Sequence, residues 1–142
     1  MTQYFTFRDE VLEKYDGDED LYEQFMESFE SMPIAAEVNG DYLCVHGGIS
    51  PQLETIDDIN QINRFDEPGT SGFLCDLLWS DPCEDKESTH YKWKSNSERE
   101  CSYKYGLEPV KKLLLRNNYT SIIRAHQVQL LGYKMHRWEG KD

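Results

Sequence analysis

The chain has 142 residues, of which 38% are hydrophobic and 13% aromatic, enough for one domain-sized core and too apolar for disorder throughout. It holds no run of about 18 apolar residues, so no membrane-spanning helix is expected, and MTQYFTFRDE lacks the basic-then-apolar pattern of a signal peptide. A net charge of -12 argues against nucleic acid as the main partner, because phosphate backbones are neutralised by Lys and Arg. The charge is uneven: residues 1–32 carry ten Asp and Glu, whereas twelve of the fifteen basic residues lie between Lys86 and Lys141.

In chain order, Phe7, Val11, Leu12 and Tyr15 recur at helical intervals, and Asp16-Gly17-Asp18 breaks that segment. A second helix is expected to start at Asp20, with Glu23 closing a capping box. Tyr22, Phe25, Met26 and Phe29 would form its apolar stripe, and Pro33 would end it. Two strands follow, Ile34–Val38 and Tyr42–Val45, around an Asn39-Gly40 hairpin signal. The second strand runs into His46-Gly47-Gly48, where two glycines let the backbone turn and approach a neighbour closely. Residues 49–72 read as loop with one short helix near Ile56–Ile62.

Leu74–Trp79 is a buried-looking apolar run ending at Ser80-Asp81-Pro82. Residues 83–98 are lysine-rich and aperiodic, and read as an exposed excursion. Gly106 to Asn118 is a helix with Val110, Leu113 and Leu114 on one face and Pro109 in its first turn. Tyr119–Ala125 reads as a strand ending at His126, and Leu131–Trp138 as a last strand. No repeat or linker divides residues 1–142, which read as one unit. Cys44, Cys75, Cys83 and Cys101 have no metal-ligand spacing, and free thiols in a reducing compartment are expected.

His46 and His126 each stand where a strand gives way to a loop, the place where α/β folds gather functional side chains. Neutral imidazole ligates Zn, Fe and Mn, so both are candidate metal ligands. The donor fork of Arg99 suits a phosphate or carboxylate, although Glu98 and Glu100 are at hand to pair with it. Asp81 suits a turn before Pro82. His90 and His136 lie in polar or end-of-chain surroundings and carry no site.

Four blocks in order add a resemblance. Leu43-Cys44-Val45-His46-Gly47-Gly48-Ile49-Ser50-Pro51, Leu77-Leu78-Trp79-Ser80-Asp81-Pro82, Arg99 with the following Ser102-Tyr103, and Arg124-Ala125-His126 resemble the phosphoprotein phosphatase family of Ser/Thr protein phosphatases. Tyr4-Phe5-Thr6-Phe7, the excursion 83–98 and Arg99–Tyr103 are most similar to the calcineurin catalytic subunit. The resemblance implies an α/β fold: part of a metallophosphatase β-sandwich flanked by helices, in four αββα layers. It implies hydrolysis of phosphoserine and phosphothreonine esters by water activated between two metals, iron and zinc or manganese. His46 and His126 would ligate one of those metals, Arg99 would hold phosphoryl oxygens, and Asp81 would line the cleft.

Phosphoprotein substrates, a cytoplasmic location and, in a full-length form, a calcineurin B-like subunit and calmodulin are further implied; nucleic acid and membrane are not. The family's GDxHG, GDYVDRG, GNHE and SAPNY blocks have no counterpart here, so the dinuclear centre is expected to be incomplete in these 142 residues. Glu100 stands where the family has glycine. The alternative expectation is a catalytically inactive short form that acts as a binding or regulatory module.

Overall fold

The computed structural model describes residues 1–84 and 87–136. The chain divides into two compact units, Met1–Met32 with Arg64–Glu67, and Pro33–Asn63 with the described residues from Pro68 onward. In the first unit, α1 (Phe7–Lys14) and α2 (Glu19–Ser31) pack through an aromatic group. Phe7 meets Phe25 edge-on with ring centroids 5.5 Å apart, and Tyr22 is buried with Val11. The cap of α2 lies two residues earlier than the Asp20-Glu23 pattern suggests. Asp18 accepts a hydrogen bond from the Leu21 amide at 2.9 Å, which leaves Glu19 and Asp20 inside the first turn, at the positive end of the helix dipole.

The second unit holds two three-stranded sheets. The first has the order β1-β2-β6, with β1 (Ala35–Val38) antiparallel and β6 (Ser121–Arg124) parallel to the central β2 (Tyr42–Val45). Asn39 and Gly40 take positive φ, as the hairpin signal requires, but Val38 pairs with Tyr42, so Asp41 enters the loop as a third residue. The second sheet runs β3-β5-β4, built from Asp81–Pro82, Tyr103–Tyr105 and Trp93–Ser95. Helices α3 (Ile56–Ile59), α4 (Phe73–Trp79) and α5 (Leu107–Asn117) complete the unit. Its core joins Leu43 and Val45 of β2 to Leu77 of α4, Tyr105 of β5 and Val110 and Leu113 of α5. The described residues thus mix helices with parallel and antiparallel strands, the α/β class expected.

Two expectations are corrected. The excursion 83–98 is not simply exposed: it carries β4, and Cys83, Ser88 and Asn96 are buried. Its aperiodic polar sequence hid a strand of three residues, too short to show alternation. The segment expected as a strand from Leu131 forms none over residues 131–136, while Arg137 and Trp138 lie outside the described residues. Leu131, Tyr133 and Met135 are exposed, and no strand among the described residues pairs with them; an apolar alternation without a ladder does not hold a strand. Cys44, Cys75, Cys83 and Cys101 are all free thiols.

Candidate active site

Parallel pairing of β2 with β6 sets Val45 opposite Arg124, so the two strands end at the same level and their next residues emerge together. The Ala125 amide donates to the His46 carbonyl at 3.1 Å, continuing the ladder one step past the strands. Two histidines 80 residues apart in sequence then meet, with His46 Nε2 3.1 Å from His126 Nδ1. His126 has φ of +63°, a conformation L residues rarely adopt, and Trp79 lies edge-on to its ring at 5.3 Å. His126 Nε2 is buried without a hydrogen-bond partner.

Partial burial holds His126 neutral to about pH 4, aided by the Arg99 charge, and lowers His46 as well, with Arg124 and Arg99 contributing. Both rings are therefore neutral near pH 7, the form that ligates a metal.

The glycines after His46 serve a close approach, and the approach is to the protein's own backbone. The amides of Gly47 and Gly48 both donate to the Leu77 carbonyl, at 2.9 and 3.2 Å, which seats this loop on the end of α4. A Cβ on Gly47 would stand 2.5 Å from the Leu78 carbonyl carbon, and one on Gly48 would stand 2.3 Å from the Tyr105 ring. Neither glycine has positive φ, so the constraint is space.

Asp81 lies fully buried behind this pair. Its Oδ2 accepts from Arg99 Nε at 3.1 Å and from Asn96 Nδ2 at 3.0 Å, while Oδ1 accepts from Arg124 Nη2 at 2.8 Å. Burial pushes the Asp81 carboxyl up. The Asn96 and Arg99 hydrogen bonds with the Arg124 and Arg99 charges outweigh that, so it stays below the ordinary carboxylate value and ionised. Arg99 also donates through Nη2 to the His126 carbonyl at 3.2 Å, and its side chain remains 29% exposed. Its acidic neighbours are engaged elsewhere or turned aside: Glu98 pairs with Lys104, and Glu100, at φ +58°, lines a separate polar cavity with Asp76 and Ser102.

All four residues singled out from sequence, His46, Asp81, Arg99 and His126, thus lie in one cluster, although Asp81 is covered. Sequence reasoning missed Arg124 and Asn96. Arg124 donates to the carbonyls of Gly47 and Ser80, to Gln127 Oε1 at 2.6 Å and to Asp81. Its place directly before the Ala125-His126 turn was the available signal. Asn96 had none, being one polar residue in a polar tract.

His46 Nε2 and His126 Nδ1, neutral and converging, fit two positions in a metal's ligand shell. Among the described residues no group of three His, Cys, Asp or Glu side chains could complete one. The donors present therefore suit part of a metal centre.

The family model for calcineurin-like phosphoesterases matches residues 6–130. The chain belongs to the calcineurin-like phosphoesterase family. It is 42% identical over 96% of its length to the serine/threonine-protein phosphatase 2B catalytic subunit A1 of Saccharomyces cerevisiae, and covers 26% of that protein. It is 40% identical over 94% of its length to the serine/threonine-protein phosphatase 4 catalytic subunit of Eremothecium gossypii, and covers 41% of it. A solved structure of a Saccharomyces cerevisiae protein serine/threonine phosphatase, described as similar to human phosphatase PP5, superposes with a TM-score of 0.74. It is 32% identical, over 87% of this chain and 36% of that one. The chain therefore spans less than half the length of these relatives.

Proposed function

We propose that the chain is a segment of a metal-dependent protein serine/threonine phosphatase, supplying two histidine ligands and the phosphate-holding arginine to the site. The observation that carries this reading is the convergence of His46, His126 and Arg99 from distant parts of the sequence. A pair of bound cations, iron with zinc or manganese, would supply an activated water and charge stabilisation for in-line displacement at phosphorus. His46 and His126 would hold one cation through Nε2 and Nδ1. Arg99, fixed by Asp81 and by the His126 carbonyl, would direct its remaining donors at phosphoryl oxygens, where charge stabilisation lowers the barrier. Phosphoproteins in the cytoplasm are the proposed substrates. A calcineurin B-like subunit and calmodulin are the proposed partners of a longer form.

The absence of a third ligand among the described residues favours a second reading for the 142 residues alone, a module without activity. One experiment separates the two: the matching segment of the yeast phosphatase 2B catalytic subunit is replaced by this chain. The hybrid is then assayed with manganese on a phosphoserine peptide. Hydrolysis that falls by about a hundredfold or more in His126→Ala and Arg99→Ala hybrids is expected from groups of this kind. A folded but inactive hybrid would leave the module reading.

A further inference from the structure

We infer that Arg124 neutralises Asp81 and thereby leaves the charge of Arg99 free for an oxyanion. This deepens the proposed function and rests on its reading of Arg99. Two guanidinium groups share the one carboxylate: Arg124 on Oδ1 and Arg99 on Oδ2, at 2.8 and 3.1 Å, around a side chain with no exposure. The group of three carries one net positive charge (two cations against one anion), and the buried and exposed partners divide it unequally.

Arg124 is committed on every side. Its side chain is 12% exposed and its donors end on Gly47, Ser80, Asp81 and Gln127. Arg99 is 29% exposed, and its Nη1 makes no hydrogen bond among the described residues. The surplus charge therefore sits on the guanidinium that solvent can reach. Without Arg124, the Asp81 carboxylate would be balanced by Arg99 alone. That pair is neutral, and an approaching anion would have to compete with Asp81 for the same guanidinium.

The acidic neighbours of Arg99 do not pair with it: Glu98 is paired with Lys104, and Glu100 lines the polar cavity with Asp76 and Ser102. Arg124 is accordingly a positioning residue that acts through Asp81, with no contact to substrate.

The test titrates inorganic phosphate into the metal-free 142-residue chain and follows the Arg99 Nε–H resonance by NMR. Arg124→Gln should weaken phosphate binding about tenfold, the scale of one lost charge at close range. Asp81→Asn placed in the Arg124→Gln background should bring the affinity back to within about threefold of the parent, because the net charge returns to one. Arg124→Lys, which keeps the charge and loses the fork, should also stay within about threefold.

Parent-like binding by a folded Arg124→Gln variant would overturn the inference, as would failure of the double variant to recover. Should Arg124→Gln not fold, Arg124→Lys decides: a tenfold loss in a folded lysine variant would mean that geometry, and not charge, is what Arg124 supplies. A parent chain whose Arg99 signal ignores phosphate would instead overturn the reading of Arg99 itself, and the inference with it.

Discussion

Replacing Gly47 by alanine tests how the histidine loop is held. The added Cβ would lie 2.5 Å from the Leu78 carbonyl carbon, 2.6 Å from its oxygen and 2.7 Å from the Trp79 nitrogen. All three are backbone atoms at the end of α4, so no side chain can swing aside. Ordinary contact begins at 3.4 Å, so loop and helix must separate by 0.9 Å (3.4 less 2.5). Such a shift would carry the 2.9 and 3.2 Å bonds from Gly47 and Gly48 to the Leu77 carbonyl beyond hydrogen-bonding distance. Two net hydrogen bonds at about 1 kcal/mol each, plus about 1–3 kcal/mol for the overpacked site, give a loss of about 3–5 kcal/mol. Urea unfolding followed by far-UV circular dichroism measures it. Gly69→Ala, whose Cβ meets only the Ser71 carbonyl at 3.9 Å, is the control and should stay within about 0.5 kcal/mol. A Gly47→Ala loss below about 1 kcal/mol would refute the argument from space.

Leu77→Ala should cost about 3–5 kcal/mol by the same assay, because Leu77 is fully buried in the core of the second unit and its removal leaves a cavity there. The histidine pair predicts a pH dependence. Burial lowers the His126 pKa from 6.5 unfolded to about 4 folded, so below about pH 6.5 the unfolded state binds more protons. The stability this neutral ring permits is full above pH 6.5 and falls as pH drops from there towards 4. His126→Gln should therefore flatten the change in urea midpoint between pH 7.5 and 5.0; an unchanged slope would show that His126 titrates normally.

Much of the architecture was legible because it is written locally. Hydrophobic spacing located α1, α2 and α5, the Asn39-Gly40 pair located the hairpin, and the motif blocks marked His46, Asp81, Arg99 and His126. Where local signals were weak the reading slipped. Asp18 rather than Asp20 caps α2, since several acidic residues stand in a row and only the hydrogen bond to Leu21 selects one. Strand β4 is three residues long, too short for alternation to register, and it is held by pairing with β5. The apolar residues after Leu130 alternate as a strand would, yet among the described residues they have no ladder to join.

By itself the sequence marked His46, Asp81, Arg99 and His126 as candidates and set the two histidines at the ends of strand-like runs. Tertiary structure alone decided their relations. Parallel register brings His46 to His126 across 80 residues, packing against α4 dictates glycine at position 47, and the placing of buried Asp81 between two arginines leaves Arg99 the more exposed of the two guanidinium groups. These are distances between residues far apart along the chain, and no local pattern encodes them, because they follow from where separately formed elements come to rest against one another.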